Sequence, residues 1–210
     1  MALHQSIYLT PKTTAYFWKI DEDFNTLFRS VSLKDRSLAR LEEMKSESHQ
    51  KGFLAVRMLL QHLNYSDYDL YYDDFGKPHL KDGKNISISH SNDFSCIVIS
   101  DQKIGADLEI LKDKTLKIAP RFMNVTHLEN LSTTEQLYKA TVIWGIKECV
   151  FKIKNQVGIS FSDHIFEDSF SLEDKKATVQ LRFNNQIEHF TIVFDSVEEY
   201  IFVCAFQPIK

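Results

Sequence analysis

The spacing of apolar positions changes period several times along the chain. Alternating or short apolar runs predict β-strands, because every second side chain of a strand lies on the same face. Helical spacing covers residues 32–63, where it indicates two successive helices, and residues 132–155. The predicted strands are SIYL, TAYFWKI, two short ones in DLYYDDFGKPHL, NISISH, FSCIVIS, IGADLEI, GISFSDHIF, KATVQLRF, EHFTIVF and YIFVCAF.

The order of these elements is strand, helices and strands, and then the same order again. This repetition predicts an α+β fold built from two similar halves that meet near residue 103. The segment 115–130 is expected to be helical around Pro120. The helix over 132–155 has the clearest start, because Ser132 and Glu135 have the spacing of a capping box.

Two carboxylates stand on one face of the predicted strand 104–110. Alternation sends Asp107 and Glu109 to the same side as Gly105, and like charges this close repel unless a cation lies between them. A solvent-facing strand is the commoner setting for such a pair. However, Gly105 suits a close backbone approach, and the apolar opposite face predicts a central strand. Oxygen ligands on a rigid strand suit a hard cation such as Mg²⁺.

A third carboxylate lies on the predicted helix 132–155. Trp144, Glu148 and Lys152 are spaced four residues apart and therefore share one stripe, with Phe151 beside it. An exposed Glu–Lys pair of this spacing stabilises a helix by only about 0.2–0.5 kcal/mol. Because Trp144 and Phe151 make the stripe apolar, a functional role for Glu148 and Lys152 is an equally good interpretation.

His90 and Lys77 are candidates for binding an anion. His90 lies between two serines at the end of NISISH, where it suits a structural role, a Ser–His pair or a phosphate contact. Lys77 lies in a Gly–Pro turn that alone indicates only a turn. The chain has no G-x-S-x-G elbow, no GxxxxGK[ST] loop and no G-x-G-x-x-G, which argues against hydrolase and standard nucleotide-binding motifs.

Composition narrows the class of protein. The 210 residues are 43% hydrophobic and 26% charged, as expected of a folded globular chain. A net charge of −4 gives no basic field for nucleic acid.

Cys96, Cys149 and Cys204 are widely spaced among apolar residues, so we expect buried free thiols rather than disulfides or a zinc site. We see no signal peptide and no bilayer-length apolar run, and expect a cytoplasmic protein without a membrane partner.

Taken together, the motifs resemble those of the 4'-phosphopantetheinyl transferase superfamily, in its double-length, surfactin-synthetase-activating type. FGKPHL, NISISHSND, IGADLE and WGIKECVFK are similar to the family's G-K-P, S-x-S-H-S, G-x-D-x-E and W-x-x-K-E-x-x-x-K motifs, in the same order. FLAVRMLLQ resembles its arginine-bearing N-terminal helix. Each motif is weak alone, whereas four in order across residues 75–152 are specific.

The resemblance implies two α/β subdomains related by a pseudo-twofold axis. The half 1–102 would be the coenzyme A-binding side, and the half 103–210 would carry the metal-binding carboxylates and the catalytic helix. The implied reaction is Mg²⁺-dependent transfer of the 4'-phosphopantetheine arm of coenzyme A to a serine of an acyl or peptidyl carrier protein, with release of 3',5'-ADP. The pseudo-twofold halves complete a cleft within one chain, so we expect a monomer.

The resemblance also assigns residues. It implies that Asp107, Glu109 and Glu148 hold Mg²⁺, although Mn²⁺ accepts the same oxygen ligands. Glu148 and Lys152 would be catalytic, with Lys152 also binding phosphate. The other residues implied in coenzyme A binding are Arg57, Lys77, Ser89 and His90, with Lys34 and Arg36 as further candidates for the 3'-phosphate.

One position departs from the family pattern. The family's R-F-x-x-x-x-E motif carries a glutamate thought to help deprotonate the carrier serine, whereas RFMNVTH places His127 there. A neutral imidazole is a competent general base, so His127 is the catalytic candidate. Glu129 and a metal-bound water are the alternatives.

A basic segment is the candidate docking surface for the carrier. Residues 111–121 hold Lys112, Lys114, Lys117 and Arg121 against Asp113. A solvated helix face is the ordinary explanation, but carrier proteins are acidic around their serine, so we expect the carrier to dock on Lys112–Arg121. Two other functions stay open, a Mg²⁺-dependent phosphoesterase and a non-catalytic coenzyme A-binding relative. The sequence does not identify the carrier.

Overall fold

The computed structural model describes residues 3–208. The chain forms two compact units, of which the first ends at Asp101 and the second begins at Gln102. Both units combine helices with antiparallel sheet, which agrees with the predicted α+β class. The pseudo-twofold relation and the division of function between the halves stay predictions.

The first unit is built on a four-stranded antiparallel sheet with the order β1-β2-β6-β5, to which a separate two-stranded hairpin, β3-β4, is added. Three helices complete the unit. Its strands and helices are β1 Gln5–Thr10, β2 Thr13–Lys19, β3 Leu70–Tyr72, β4 Pro78–Leu80, β5 Asn85–Ser91, β6 Phe94–Ser100, α1 Phe24–Ser30, α2 Asp35–Glu43 and α3 Glu47–His62.

Helix α3 contributes more buried residues to the core of the first unit than any other element. Leu54, Leu59 and Leu60 are fully buried against the sheet, and Ser46 caps the helix by accepting a hydrogen bond from His49 N. The predicted pair of helices over 32–63 is therefore confirmed. Helix α1 was not predicted, although Asp23 caps it through Thr26 N at 2.8 Å.

The second unit is built on a five-stranded antiparallel sheet with the order β7-β11-β10-β9-β8. Apolar side chains from this sheet and from its long helix form one core, which includes the buried residues Ile146, Phe190 and Phe194. Its strands and helices are β7 Ile104–Ile110, β8 Ile165–Glu167, β9 Lys176–Phe183, β10 Gln186–Val197, β11 Tyr200–Phe206, α4 Lys114–Ile118, α5 Thr133–Lys154 and α6 Phe161–His164.

Helix α5 begins where the sequence predicts. Ser132 Oγ accepts from Glu135 N, and Glu135 Oε2 accepts from Ser132 N at 2.9 Å, so the capping box is confirmed. The helix ends at Lys154 and is capped by Asn155, which adopts the left-handed conformation with φ of 46°. Along its 22 residues α5 packs on β7 and β11.

Three structural predictions need correction. GISFSDHIF is not one strand, because Ser160 caps the helical turn α6 and the strand β8 begins only at Ile165. The helix predicted over 115–130 is the short α4 followed by two 3-10 turns, Ala119–Arg121 and Val125–Leu128. Strand β7 ends the sheet order, so its predicted central position is wrong.

The cysteine prediction is confirmed, since Cys96, Cys149 and Cys204 are buried free thiols. Within residues 3–208, no helix is both long enough and apolar enough to span a membrane.

Candidate active site

The polar cluster of the second unit lies where α5 crosses β7. Two glycines allow the close approach. A Cβ at Gly105 would lie 2.1 Å from the carbonyl oxygen of Cys149, and one at Gly145 would lie 2.6 Å from Val203 Cγ2. A Cβ at Gly105 would meet the backbone of α5, which confirms that Gly105 marks a close backbone approach, whereas a Cβ at Gly145 would meet the Val203 side chain.

Strand β7 is covered on both faces. Ile104, Ala106 and Leu108 are buried on one side, and Asp107, on the side of α5, is only 4% exposed. The Asp107 carboxylate therefore does not lie on a solvated face, and the ordinary interpretation of the D-x-E pair is wrong. Burying a carboxylate without a compensating charge is costly, so the neighbouring residues must supply one.

Lys152 supplies that charge. Its Nζ donates to Asp107 Oδ1 at 2.8 Å and to the carbonyl oxygen of Ala106 at 2.9 Å. Burial acts to lower the pKa of Lys152, but the charge of Asp107 and the hydrogen bond with it, together with Cys149 and Glu148, outweigh burial and hold this pKa above its ordinary value. Nearby, Trp144 Nε1 donates to Glu109 Oε1 at 3.3 Å and restrains that carboxylate.

The three carboxylates interact electrostatically. Burial, and then the negative charge of Asp107, raises the pKa of Glu109 to about 7, and Glu148 acts in the same direction. Burial and the charge of Asp107 also raise the pKa of Glu148. Each of these acids would be stabilised in its ionised form by a cation placed among them.

The chemistry of this donor set fits a hard divalent cation, which takes carboxylate oxygens and completes its shell with water and phosphate. Their arrangement is not that of a formed metal site. Within the described part of the chain, no group of three or more histidine, cysteine, aspartate or glutamate side chains is placed to hold a metal ion. The positive charge that faces Asp107 is the Lys152 ammonium.

The predicted coenzyme A contacts lie in the first unit. Arg57 is buried, with Nε 3.0 Å from Asp67 Oδ1, and its guanidinium lies over the Phe53 ring at 3.4 Å from the centroid. Asp67 therefore compensates the charge of Arg57. Arg57 also lines a basic cavity of about 400 Å³, whose lining residues are Lys34, Arg36, Ser37, Ala39, Arg40, Glu43, Arg57, Tyr71 and Tyr72.

Ser89 and His90 lie near the end of β5. Ser89 is 7% exposed, whereas His90 is exposed and its ring stands edge-on to that of His49, with the centroids 5.7 Å apart. A Cβ at Gly52 would lie 3.0 Å from His90 Cδ2, so this glycine gives the imidazole its room. Lys77 lies in the loop between β3 and β4.

His127 lies on the 3-10 turn Val125–Leu128, at a second polar cluster of the same unit. Its Nε2 is 3.8 Å from Glu167 Oε1, and Glu167 forms a buried ion pair with Lys147, which also donates to the carbonyl oxygen of Ile165. His127, Lys147 and Glu167 share a cavity of about 260 Å³. Burial lowers the pKa of Lys147.

Sequence reasoning assigned no role to Lys147 or Glu167. Lys147 belongs to the W-x-x-K-E motif, three residues after Trp144, so the sequence was sufficient to place it on the helix. Glu167 gave no signal, because the strand prediction that covered GISFSDHIF stopped at Phe166 and was itself wrong.

Comparisons with known proteins give one consistent result. No family model matches the chain. Five curated proteins do match, and each of them is named as a 4'-phosphopantetheinyl transferase. The transferase ffp of Bacillus subtilis is 29% identical over 205 residues, which are 89% of this chain and 87% of the relative. The transferase Sfp of Bacillus subtilis (strain 168) is 28% identical over 176 residues, 77% of this chain and 76% of the relative. The transferase gsp of Aneurinibacillus migulanus is 28% identical over 137 residues, 61% and 58% respectively.

Proposed function

We propose that this chain, which belongs to the 4'-phosphopantetheinyl transferase superfamily, transfers the 4'-phosphopantetheine arm of coenzyme A to a serine of an acyl or peptidyl carrier protein. The observation that carries this proposal is the cluster of Asp107, Glu109, Glu148 and Lys152 at the crossing of β7 and α5. These residues come from the motifs that resemble the family, and their charges interact.

In the proposed reaction, the carrier serine Oγ attacks the β-phosphorus of coenzyme A. The new Oγ–P bond forms as the bond from this phosphorus to the bridging oxygen breaks. That oxygen leaves with 3',5'-ADP, and the hydroxyl proton passes to a base. Phosphoryl transfer of this kind depends mainly on positioning and on charge stabilisation.

Asp107, Glu109 and Glu148 would hold the divalent ion, Mg²⁺ or Mn²⁺. When bound, such an ion neutralises charge that develops on the pyrophosphate. Lys152 is already held against this cluster by Asp107 and the Ala106 carbonyl, so its ammonium is directed without further ordering. In this position the ammonium, which is a compact positive charge, can donate a hydrogen bond to a phosphate oxygen. The hydrogen bond from Trp144 restrains Glu109.

In the first unit, Arg57, Lys77, Ser89 and His90 are the proposed contacts of coenzyme A. The basic character of the cavity beside Arg57, with Lys34 and Arg36 in its lining, supports an anionic ligand there.

His127 is the proposed base for the serine hydroxyl. Its side chain is 17% exposed and lies beside the Glu167 carboxylate, with His127 Nε2 3.8 Å from Glu167 Oε1. Glu129 and a metal-bound water are the competing candidates. The variant His127→Ala discriminates among them. If His127 is the base, its removal should lower turnover to a degree that changes with pH between about pH 6 and 9.

The proposed docking surface is α4 with its flanking residues. Leu116 and Ile118 pack against the apolar cluster that contains the buried Phe122, whereas Lys114 and Lys117 are exposed. Packing of the apolar positions thus directs basic side chains outward, and an acidic carrier helix would be attracted to them. We expect the enzyme to act as a monomer in the cytoplasm.

The mass of the carrier tests this function. The chain is incubated with coenzyme A, Mg²⁺ and an apo-carrier, acyl or peptidyl, and the carrier is weighed by mass spectrometry. We expect a gain of one phosphopantetheine, which EDTA and Glu148→Gln abolish while the exposed control Glu173→Gln does not. Coenzyme A cleavage without a gain on the carrier would instead indicate a phosphoesterase, and binding without either would indicate a non-catalytic relative.

A further inference from the structure

The loop between β3 and β4, which carries Lys77, is closed by a single aspartate. Asp73 Oδ1 accepts hydrogen bonds from Phe75 N at 3.0 Å and from Lys77 N at 2.9 Å. The backbone of Asp73 adds two more, since its N donates to Lys77 O and its carbonyl accepts from Gly76 N, both at 3.0 Å. Four bonds from one residue therefore define the path of the loop.

The geometry of the loop requires this kind of residue. Gly76 has φ of +80°, a conformation that suits glycine, and Pro78 follows at once with its fixed φ. A short carboxylate that bonds backbone N–H groups a few residues ahead is the standard way to stabilise such a turn. The hydrogen bond from the Lys77 N–H lowers the pKa of the Asp73 carboxyl below its ordinary value, and the hydrogen bond with His79 acts in the same direction.

The second oxygen of the Asp73 carboxylate is also engaged. His79 Nε2 lies 3.1 Å from Asp73 Oδ2. The His79 ring is stacked on Tyr71, its partner across the hairpin, with the centroids 5.3 Å apart and the planes 21° apart. Stacking fixes the imidazole, and the imidazole in turn fixes the carboxylate. Both oxygens of Asp73 are thus held in place.

We propose that Asp73 is a positioning residue for Lys77, which it fixes through the backbone so that the lysine ammonium meets the phosphates of coenzyme A from a preset direction. This inference rests on the proposed function and deepens it. Preorganisation lowers the conformational entropy that coenzyme A binding would otherwise cost, because the loop is already ordered. Asp73 acts on coenzyme A only through Lys77, and His79 supports Asp73.

A double-mutant cycle tests this coupling. The variants are Asp73→Ala, Lys77→Ala and the pair together, with Asp74→Asn as the matched control, because Asp74 is the exposed acid next along the same loop. We expect Asp73→Ala to raise KM for coenzyme A about 5- to 10-fold with kcat within about twofold. The KM of the double variant should be no higher than that of Lys77→Ala alone, because the effects of substitutions at coupled residues do not add.

A conservative variant and a stability measurement complete the test. Asp73→Asn keeps an oxygen for the two backbone N–H groups but loses the carboxylate that His79 contacts, so its KM should lie between wild type and Asp73→Ala. The thermal midpoint of Asp73→Asn should match that of Asp74→Asn. The dissociation constant of coenzyme A, measured by titration calorimetry in the absence of carrier, should rise in the same order of variants as KM.

Three results would overturn the positioning role. They are a KM in Asp73→Ala equal to that in Asp74→Asn, additive effects in the double variant, and a fall in kcat that follows the loss of thermal stability. If wild type neither binds coenzyme A nor modifies a carrier, the proposed function itself fails. If Lys77→Ala weakens coenzyme A binding while Asp73→Ala does not, only the positioning role fails.

Discussion

The ion pair between Lys147 and Glu167 gives a sharp prediction for stability. Both side chains are buried, at 2% and 3% exposed, and the Lys147 ammonium has two acceptors, the Glu167 carboxylate and the carbonyl of Ile165. Glu167→Gln keeps the shape and removes the charge. The ammonium is then left in the core of the second unit without a counter-charge.

Breaking a buried ion pair by removing one partner costs about 3–5 kcal/mol. Replacing both partners by apolar residues of similar volume is often close to neutral, because the desolvation of two charges is avoided. We therefore expect Glu167→Gln to lower the free energy of unfolding by about 3 kcal/mol. The double variant Lys147→Met/Glu167→Leu should recover most of that loss.

Urea denaturation measures this effect in the unit concerned. The chain has two tryptophans, Trp18 in the first unit and Trp144 in the second, so a Trp18→Phe background makes fluorescence report on the second unit alone. Glu173→Gln, an exposed residue of the same unit, is the control. A loss below about 1 kcal/mol in Glu167→Gln, or a double variant less stable than the single one, would refute the reasoning.

Three further predictions concern the site and its surroundings. Gly105→Ala should cost about 3 kcal/mol and weaken turnover, because the new Cβ would lie 2.1 Å from the Cys149 carbonyl oxygen; urea denaturation and the transfer assay check both. Charge reversal at Lys114 and Lys117 should raise KM for the carrier severalfold at low salt and less at high salt, and an unchanged KM at low salt would contradict docking there. His127→Ala should reduce kcat about 10²-fold with a changed pH profile; activity equal to wild type across that range would exclude it as the base.

Much of the candidate site was readable from the sequence, because its residues lie on elements with strong local signals. The capping spacing of Ser132 and Glu135 fixed the start of α5, and period-two alternation put Asp107 and Glu109 on one face of β7. Gly105 then indicated the close contact that α5 makes. Local pattern is sufficient here, since backbone geometry determines which side chains share a face.

Other features depended on contacts that no local pattern encodes. Lys152 looked like the helical partner of Glu148, whereas its ion pair is with Asp107, which lies 45 residues away in sequence. The apolar face of β7 suggested a central strand, but its place in the sheet depends on which strands pair with it. Glu167 was missed because Ser160 caps a helical turn within a segment of strand-like alternation.

Metal binding tests the central claim most directly. Titration calorimetry with Mn²⁺ in the presence of coenzyme A would compare wild type with Asp107→Asn, Glu148→Gln and the control Glu173→Gln. We predict that wild type and the control bind a single ion per chain, and that both site variants lose this binding while remaining folded. Binding in Asp107→Asn and Glu148→Gln with the affinity of wild type would contradict a shared role for these carboxylates.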